Sequence, residues 1–323
     1  MSILVGPETR LLVQGITGRQ AGLHARLMGD AGTRIVAGVA PGRAGTLVEG
    51  LEDVPVFDDV RQAREATGAN ASIAFVPPAA AAKSLVEAAE AGLDLIVSVT
   101  DGIPLHDMLR ARREFSALRA RGWRGRLVGP NGPGVVAPGK AKVGIGPEGI
   151  CRPGPVGIAS RSGSLSYETA RGLSAVGIGQ STVVGVGGDL VKGTTFEDLL
   201  PLFEADRETE VIVLLGEIGG TDEERAAAWI ARHGTKPVVA LVAGRWAPEE
   251  IPLGHPGALI RDGRGRAEDK IAALRKAGVS VAGNTDALVA IVKDLLPGAG
   301  GADRGRNGGE NGLRRSSRPA GAA

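Results

Sequence analysis

Short apolar runs alternate with helical stretches along most of the chain, and this alternation constrains the fold more than any other feature. In the first half, five runs rich in valine, isoleucine and leucine are separated by segments with apolar residues at helical spacing. These runs are LLVQG (11–15), RIVAGV (34–39), SIAFV (72–76), DLIVSV (94–99) and RLVG (126–129). Near-continuous apolar strands separated by helices indicate a parallel sheet that is covered on both faces. We therefore predict a doubly wound α/β domain at the start of the chain.

A second series of the same kind begins after residue 155. Its expected strands are VGIAS (156–160), STVVGV (181–186), EVIVLLG (210–216), KPVVALVAG (236–244) and SVAG (280–283). Helices are expected near residues 163–176, 195–205, 221–233, 267–277 and 284–295. A chain of 323 residues is longer than one hydrophobic core usually fills, which also favours two domains. We predict a Rossmann-like domain over residues 1–130 and a second doubly wound domain over residues 156–296.

Two segments do not fit this alternation. Residues 131–155 are rich in proline and glycine, which favours an interdomain crossing over a packed element. Residues 297–323 contain five arginines, two acidic residues and many glycines, which gives this tail a net charge of +3. Because its few apolar residues cannot offset the entropy of ordering, we predict a disordered basic tail. The tail either binds an anionic surface or is a solvated extension.

Composition excludes several classes of protein. The whole chain has a net charge of +2, so residues 1–296 carry −1 once the tail is subtracted. A body without surplus positive charge and with few aromatic residues for base stacking (3% of the chain) is not expected to bind nucleic acid. Cys151 is the single cysteine, which leaves no internal disulfide, and we expect no metal site in this chain. No window approaches about 18 continuous apolar residues, and the first residues lack the pattern of a signal peptide. We therefore expect a cytoplasmic protein that does not interact with a membrane.

Glycine-rich turns follow several expected strands, at the sheet edge where open α/β folds bind ligands. The first is GITGRQAG (15–22), where the start of a helix favours a phosphate. Its spacing only approximates the G-x-G-x-x-G motif, and no acidic residue follows the second strand to bind an NAD ribose. Arg43 lies there instead, which suits a ligand with an additional phosphate, such as NADP or coenzyme A. A glycine turn that binds nothing is the alternative.

Three loops of the second domain place polar groups at the corresponding edge. The segment SRSGS (160–164) lies between a strand and a helix and is either a phosphate cradle or a plain helix cap. Glu217 lies in the glycine turn GEIGG (216–220). His255 lies in the loop LGHPGA (253–258), whereas the other three histidines are expected on or near helices. No metal ligands accompany His255 in the sequence.

Together these motifs resemble the alpha subunit of succinyl-CoA synthetase (succinate–CoA ligase). The resemblance covers about residues 1–295 and includes MSIL, QGITGRQ, VTDGIP, GPNGPGVV, SRSGSLSYE, VGVGGD, GEIGG and GHPGALI. In that family the first domain binds coenzyme A, and the second, a flavodoxin-like ligase domain, carries a histidine that becomes phosphorylated. The resemblance places this phosphohistidine at His255 and implies an acid–CoA ligase.

The resemblance also implies roles for other residues. Glu217 would accept a hydrogen bond from one ring nitrogen of His255 and leave the other nitrogen nucleophilic. The positions that bind coenzyme A would be Thr17, Gly18, Arg19, Gln20, Arg43, Val99, Thr100, Asp101 and Asn131. Tyr167 would contact the acid substrate, and the phosphate-binding positions would be Ser160, Arg161, Ser162 and Gly163.

The implied reaction has three reversible steps. Phosphate attacks succinyl-CoA to give succinyl phosphate and coenzyme A, His255 takes the phosphoryl group, and phospho-His255 transfers it to ADP or GDP. The chain contains no Walker A motif and nothing that resembles an ATP-grasp module. ATP/ADP or GTP/GDP and Mg²⁺ are therefore expected on a separate ATP-grasp beta subunit, in an αβ or α2β2 assembly. Succinate, a small dicarboxylate, is the default acid.

The sequence departs from the family pattern at several positions. Gly132 replaces a cysteine, residues 148–151 lack a histidine that is usual in the family, and Pro256 follows His255 in place of alanine. The loop RWAPEEIPL (245–253) carries two acids where the family is usually basic. Three alternatives stay open: the small subunit of a malate–CoA ligase, a non-catalytic CoA- or nucleotide-binding regulator, and an NADP-dependent oxidoreductase. Retention of both His255 and Glu217 argues against the regulator.

Overall fold

The computed structural model describes residues 2–147 and 149–296, and its first half forms a six-stranded parallel sheet. The strands are β1 Arg10–Gln14, β2 Arg34–Val39, β3 Val56–Phe57, β4 Ala71–Ala74, β5 Leu95–Ser98 and β6 Arg126–Val128. The helices are α1 Arg19–Asp30, α2 Val60–Thr67, α3 Pro78–Glu90 and α4 Leu105–Ala120. The strand order β3-β2-β1-β4-β5-β6 is that of a Rossmann fold, which confirms the predicted fold of the first half.

The central strand explains why its sequence is almost continuously apolar. Leu11 and Val13 pack into one hydrophobic cluster, whereas Leu12 packs into a second cluster on the opposite face. All three side chains are fully buried. Successive residues of a strand point to opposite faces, so a strand covered by helices on both sides is apolar at nearly every position.

The second half forms a seven-stranded mixed sheet. Its strands are β7 Gly134–Ala137, β8 Ala141–Gly144, β9 Pro153–Ser160, β10 Gln180–Gly185, β11 Val211–Glu217, β12 Val238–Ala243 and β13 Ser280–Val281. Its helices are α5 Gly163–Ala175, α6 Phe196–Ala205, α7 Asp222–His233, α8 Ala267–Lys276 and α9 Thr285–Leu295. The five parallel strands lie in the order β13-β12-β11-β9-β10, which is the flavodoxin-like winding and confirms the fold expected for the second domain.

The segment 131–155 is packed, contrary to the prediction of a crossing without regular structure. Strands β7 and β8 form an antiparallel hairpin, and β7 pairs with β10 at the edge of the second sheet. Gly134 has φ +93°, and a Cβ built on it would lie 2.2 Å from the carbonyl oxygen of Val143. Glycine is required there because only a residue without a side chain lets the two strands approach in this conformation.

The same hairpin also contacts the first domain. The Thr33 hydroxyl, just after α1, donates to the Lys142 carbonyl at 2.6 Å and accepts from the Lys142 N–H at 2.7 Å. The domain boundaries at residues 130 and 155 stay predictions, although β7 and β8 belong to the second sheet. The predicted tail 297–323 lies outside the described residues. None of the helices in the part of the chain that the structure describes is long and apolar enough to cross a membrane.

The parallel part of each sheet has one point where the strand order reverses. In the first sheet this switch point lies between β1 and β4, and in the second it lies between β9 and β11. Ligands of open α/β sheets bind beside the carboxyl ends of the strands at this point. The loop that follows Gln14 and the loops that begin at Ser160 and Glu217 therefore start at the two expected binding edges.

Candidate functional site

The His255 imidazole is held by a carboxylate at the carboxyl end of β11. Its Nδ1 lies 2.8 Å from Oε2 of Glu217, and the histidine side chain is 23% exposed, against 8% for the glutamate. A carboxylate can only accept here, so Nδ1–H donates to Glu217 and the Nε2 lone pair is left for chemistry. The Glu217 hydrogen bond raises the pKa of His255 above its usual value, although burial opposes this.

Glycine at position 188 makes room for the imidazole. A Cβ built on Gly188 would lie 2.2 Å from Cγ of His255 and 2.5 Å from Nδ1. The Gly188 carbonyl also accepts from the N–H of Gly257, two residues beyond the histidine. The loop after β10 therefore sets both the position of the ring and the course of the loop that carries it.

A buried cation lies beneath the Glu217 carboxylate. The Arg161 side chain is 2% exposed, and its Nη2 lies 3.2 Å from Oε1 of Glu217. Its Nη1 donates to the carbonyls of Glu217 and Gly219 and to Oε1 of Glu223. Burial works against the charged form of Arg161, but Glu223 and Glu217 raise its pKa, so the guanidinium stays charged.

Beside the histidine lies a cavity of about 250 Å³ between the two domains. Its lining combines loops that follow β5 and β6 with the start of α5 and the histidine loop. The lining residues are Val99, Asn131, Gly132, Pro133, Ile145, Ser162, Gly163, Ser164, Tyr167 and His255. Six of the positions predicted from the sequence are therefore brought together here: Val99, Asn131, Ser162, Gly163, Tyr167 and His255.

The start of α5 gives the cavity a site suited to an anion. Ser162 is the N-cap, and its Oγ accepts from the Leu165 N–H at 3.3 Å. The first turn contains no acidic residue, so nothing on the helix neutralises its N-terminal dipole. Ser160 and Arg161 were predicted to bind phosphate as well, but both side chains are buried and neither lines the cavity. The Arg161 guanidinium instead supports Glu217 from the inside.

Two carboxylates share one amide at the domain junction. The Asn131 Nδ2 donates to Asp101 at 2.8 Å and to Asp189 at 3.1 Å. Burial raises the pKa of Asp189 above its ordinary range, and Asp101 adds to this, whereas the Asn131 hydrogen bond lowers it. The backbone of Asn131 is in the left-handed region, with φ +53°.

The predicted coenzyme A loop lies at the switch point of the first sheet. Thr17, Gly18, Arg19 and Gln20 are all exposed, Gly18 caps α1 without a side-chain hydrogen bond, and the first turn of α1 has no acid. Gly15 has φ +78°, and a Cβ there would lie 2.3 Å from the Phe75 carbonyl oxygen, so glycine is required for this turn. The loop thus presents free backbone N–H groups at a helix start.

The remaining predicted positions surround this edge. Arg43 is exposed, and Asp58 accepts from its backbone N–H and from that of Ala44. Thr100 is half-buried and donates to the Val76 carbonyl at 3.3 Å, and Asp101 is exposed apart from its Asn131 contact. None of residues 17–20, Arg43, Thr100 or Asp101 lines the histidine cavity. The roles assigned to them stay predictions.

One of the departures from the family pattern, Gly132, has a local explanation. A Cβ on Gly132 would lie 2.8 Å from the Gly185 carbonyl oxygen and 3.1 Å from the Gly187 N, so this backbone leaves little space for a side chain. Cys151 is half-buried, and burial raises the pKa of its thiol to about 11, which makes it a poor nucleophile. Burial also raises the pKa of the nearby Tyr167 phenol.

Sequence reasoning gave no role to three charged residues close to the site. Asp189 ends the motif VGVGGD, whose glycines were the only available signal. Glu223 and Lys270 are almost completely buried and bonded to each other, yet in the sequence they look like the exposed polar face of two helices. Among the described residues no cluster of histidine, cysteine, aspartate and glutamate could hold a metal ion.

Comparison with known proteins places this site in a family. A model of the CoA binding domain matches residues 7–102, and a model of the CoA-ligase domain matches residues 159–280. The succinate–CoA ligase [ADP-forming] subunit alpha of Aquifex aeolicus is 47% identical over 92% of this chain and 95% of that protein. The chain belongs to the family of succinate–CoA ligase alpha subunits. Two further relatives support this assignment. The alpha subunit of Staphylococcus aureus is 48% identical over 87% of this chain and 91% of its own length. The alpha subunit 2 of Archaeoglobus fulgidus is 49% identical over 92% of this chain and 100% of its own length.

Solved structures show the alpha-subunit fold within longer proteins. The chain matches ATP citrate lyase from Methanothrix soehngenii, determined in complex with citrate and coenzyme A, with a TM-score of 0.81 and 26% identity. The match covers 98% of this chain but only 54% of that one, so the chain spans about half the length of the lyase. An acetyl-coenzyme A synthetase from Ca. Korarchaeum cryptofilum has the same fold, with a TM-score of 0.68 and 21% identity.

Proposed function

We propose that the chain is the alpha subunit of an ADP-forming succinate–CoA ligase and that His255 carries the phosphoryl group. The observation that supports this most directly is the His255–Glu217 pair. It lies beside a polar cavity between a CoA-binding domain and a ligase domain, in a chain that is 47–49% identical to ligase alpha subunits. A regulator that only binds coenzyme A would need neither the oriented imidazole nor its buried carboxylate.

The proposed chemistry divides the reaction among three nucleophilic attacks. A phosphate oxygen attacks the thioester carbonyl of succinyl-CoA, the C–S bond breaks, and succinyl phosphate and free coenzyme A result. The Nε2 lone pair of His255 then attacks phosphorus, and succinate leaves with the bridging oxygen. Finally, a terminal oxygen of the nucleoside diphosphate takes the phosphoryl group and frees the imidazole.

The residues of the site have distinct proposed tasks in these steps. Glu217 fixes the tautomer of His255 and stabilises the positive ring charge that develops as Nε2 attacks. Ser162, Gly163 and the N-terminal dipole of α5 stabilise the transferring phosphoryl group. Tyr167 lines the same cavity and is proposed to contact the acid. The loop of residues 17–20 and Arg43 are proposed to bind the phosphates of coenzyme A.

The nucleotide and Mg²⁺ are proposed to lie on a separate ATP-grasp beta subunit. The relatives are named as one subunit, alpha, of the ligase, which supports a second subunit here. In the complex the beta subunit would bring the nucleotide to the exposed side of His255. An αβ pair or an α2β2 assembly, and a preference for ADP over GDP, are the finer parts of this proposal.

Labelling of His255 tests the function. The chain is co-expressed with the candidate beta subunit of its own genome, and the complex is incubated with γ-labelled ATP or GTP and Mg²⁺. Acid-labile, base-stable label on this chain is expected, and His255→Asn should abolish it. His106→Asn, at an exposed histidine on α4, is the matched control and should label normally. No label on the wild type, or label that survives His255→Asn, would contradict the proposal.

The acid is identified by release of that label. Succinate plus coenzyme A should discharge phospho-His255 with formation of succinyl-CoA and phosphate, whereas malate plus coenzyme A should not. The reverse preference would assign the chain to a malate–CoA ligase. Formation of the acyl-CoA and free phosphate requires both reactants, because the acid first takes the phosphoryl group from phospho-His255 and the thiol of coenzyme A then displaces phosphate from the acyl phosphate.

A further inference from the structure

Behind Glu217 lies a chain of buried charges that no step of the proposed reaction uses. Glu223, in the first turn of α7, is 1% exposed, and its Oε1 accepts from the backbone N–H of Glu217 at 3.1 Å and from Nη1 of Arg161 at 3.2 Å. Its Oε2 accepts from Nζ of Lys270 on α8, which is fully buried. Lys270 also donates to the Gly220 carbonyl at 3.0 Å and to Glu224 at 3.2 Å.

This arrangement is unusual for an alpha-helical glutamate and a lysine. Buried ion pairs contribute little net stability, since the cost of removing both charges from water is close to the gain from pairing them. Glu223 nevertheless makes two contacts that bear on Glu217. It accepts from the Glu217 backbone N–H, and it accepts from Arg161, the cation that contacts the Glu217 carboxylate. Glu217 is therefore fixed from two directions by a single residue that never touches the imidazole.

We propose that Glu223 is a positioning residue for the phosphoryl-accepting histidine: through Arg161 and the Glu217 backbone it fixes the carboxylate that orients His255. Lys270 holds Glu223 in place from the far side. The inference rests on the proposed function for its role in phosphoryl transfer, but the coupling itself is a property of the folded chain. Removal of a charge at Glu223 or at Lys270 should therefore change the titration midpoint of His255.

Several charged groups face His255, and the network acts together with them. Glu217 contacts the ring from β11, Arg161 lies behind it at the end of β9, and Asp101 and Asp189 approach from the loops after β5 and β10. Glu223 shares Arg161 with Glu217. When Glu223 becomes neutral, Glu217 alone balances the Arg161 charge, and the reduced negative charge of the cluster disfavours a protonated imidazole. Loss of Lys270 does the opposite, because it leaves a surplus negative charge.

Two substitutions with opposite signs therefore test the network. Glu223→Gln should lower the titration midpoint of His255, and Lys270→Met should raise it, each by on the order of 0.5–1 pH unit. In Glu223→Gln, Lys270 keeps Glu224 and the Gly220 carbonyl as partners, so its charge stays compensated. The double variant removes one charge of each sign and should titrate close to the wild type. The midpoints are measured by NMR on the full-length chain with labelled histidine, and His255→Asn assigns the signal.

Glu224→Gln is the matched control. Glu224 is the next residue of the same helix and contacts the same lysine, but it is 28% exposed and contacts neither Arg161 nor the Glu217 backbone in the described chain. Its midpoint shift should be less than half that of Glu223→Gln. Thermal unfolding and circular dichroism of each variant show whether it is folded, and the double variant remains informative if a single variant is not.

Phosphorylation of the complex supplies the second readout. Glu223→Gln should slow labelling of His255 roughly tenfold above the midpoint, where the wild-type imidazole is neutral. Folded single variants whose midpoints both equal the wild type, or move in the same direction, would overturn the inference. If the wild-type complex takes no label but the midpoints move as expected, the proposed function fails while the coupling stands.

Discussion

At the residue scale, the partner of Nδ1 decides whether Nε2 of His255 can act as a nucleophile. In Glu217→Gln the amide can present its NH₂ group to Nδ1, which then accepts, and the proton moves to Nε2. We expect phosphorylation of His255 to fall by about 10²- to 10⁴-fold at neutral pH, as when the orienting acid of a catalytic histidine is converted to its amide. Single-turnover labelling with ATP and Mg²⁺ measures this rate.

The same substitution predicts a pH shift of known sign. Glu217 raises the pKa of His255, so the wild-type imidazole is protonated, and unreactive, over a wider acidic range. Without the carboxylate the pKa falls, and the acid limb of the residual rate moves to lower pH. A Glu217→Asp variant retains the charge, so its acid limb should stay nearer the wild type. An unchanged limb in Glu217→Gln would contradict the assigned contact.

The Gly188→Ala substitution tests the space around the ring. The added methyl group would lie 2.2 Å from Cγ of His255, so the imidazole has to leave Glu217. We expect labelling of His255 to drop at least about 100-fold, while the circular dichroism spectrum is retained. Gly283→Ala is the control, since nothing lies within 4 Å of its built Cβ. Normal labelling of Gly188→Ala would show that the ring has another position available.

The roles of His255 and Glu217 were predicted from the family resemblance of the motifs GHPGALI and GEIGG, since a lone loop histidine and one glutamate carry little signal of their own. Glu223 and Lys270 were not predicted, since a charged residue in the first turn of a helix ordinarily faces water. Their burial follows from the packing of α7 on α8, a contact between segments that are about 45 residues apart in the sequence. Nothing local in either segment indicates it.

At the scale of elements, a buried ion pair ties the start of α7 to the loop after β10. Nζ of Lys192 lies 2.8 Å from Oδ2 of Asp222, with side-chain exposures of 8% and 12%. Asp222→Asn leaves the lysine buried without its carboxylate and should cost about 3 kcal/mol of unfolding free energy. Asp107→Asn, in the first turn of α4, removes an exposed i,i+3 pair with Arg110 and should cost less than about 0.5 kcal/mol.

The effect of Asp222 should also depend on pH. Burial opposes ionisation of this carboxyl, but Lys192, Arg161 and Arg225 together outweigh it, and the pKa is lowered on folding. The stabilisation is therefore complete above the unfolded value of about 3.9 and is lost as the pH falls through the lower folded value. Urea unfolding of the wild type and Asp222→Asn should differ fully at pH 7 and converge in acid. If the difference in unfolding free energy between the two proteins stayed constant from pH 7 into acid, the Lys192–Asp222 ion pair could not be the cause of that difference.

The β7–β8 hairpin was not predicted from the composition of its segment. Its proline and glycine content predicted an irregular crossing, yet Val135 and Val136 pair with Val184 and Val183 of β10. That partner is nearly 50 residues further along the chain, so the pairing is set by the assembled sheet. The glycines serve the hairpin, as at Gly134, where two strands come too close for any side chain.

At the scale of the whole molecule, the two sheets bring different binding edges to one cavity. The alternation of strands and helices predicted two doubly wound domains, because each parallel strand must be buried on two faces, and the family resemblance implied the flavodoxin-like winding of the second. Where the sheets meet was not predictable, since it depends on contacts such as Thr33 with Lys142, which involve side chains and backbone of distant segments. Val99 and Asn131 of the first half thus reach the cavity of His255.

The division of labour between the domains predicts that coenzyme A binds to this chain without a partner. Calorimetry on the full-length chain should show binding of coenzyme A, and Arg43→Ala should weaken it about tenfold through loss of one charge-assisted phosphate contact. If Arg43 contacts the 3′-phosphate of coenzyme A, the wild type and Arg43→Ala should bind 3′-dephospho-CoA, which lacks this phosphate, with equal affinity. Arg34→Ala is the matched control, because Arg34 is exposed at the opposite end of β2. If Arg34→Ala weakened binding of coenzyme A as much as Arg43→Ala, the two arginines would act only through overall charge. Added salt would then weaken the effect of both substitutions equally.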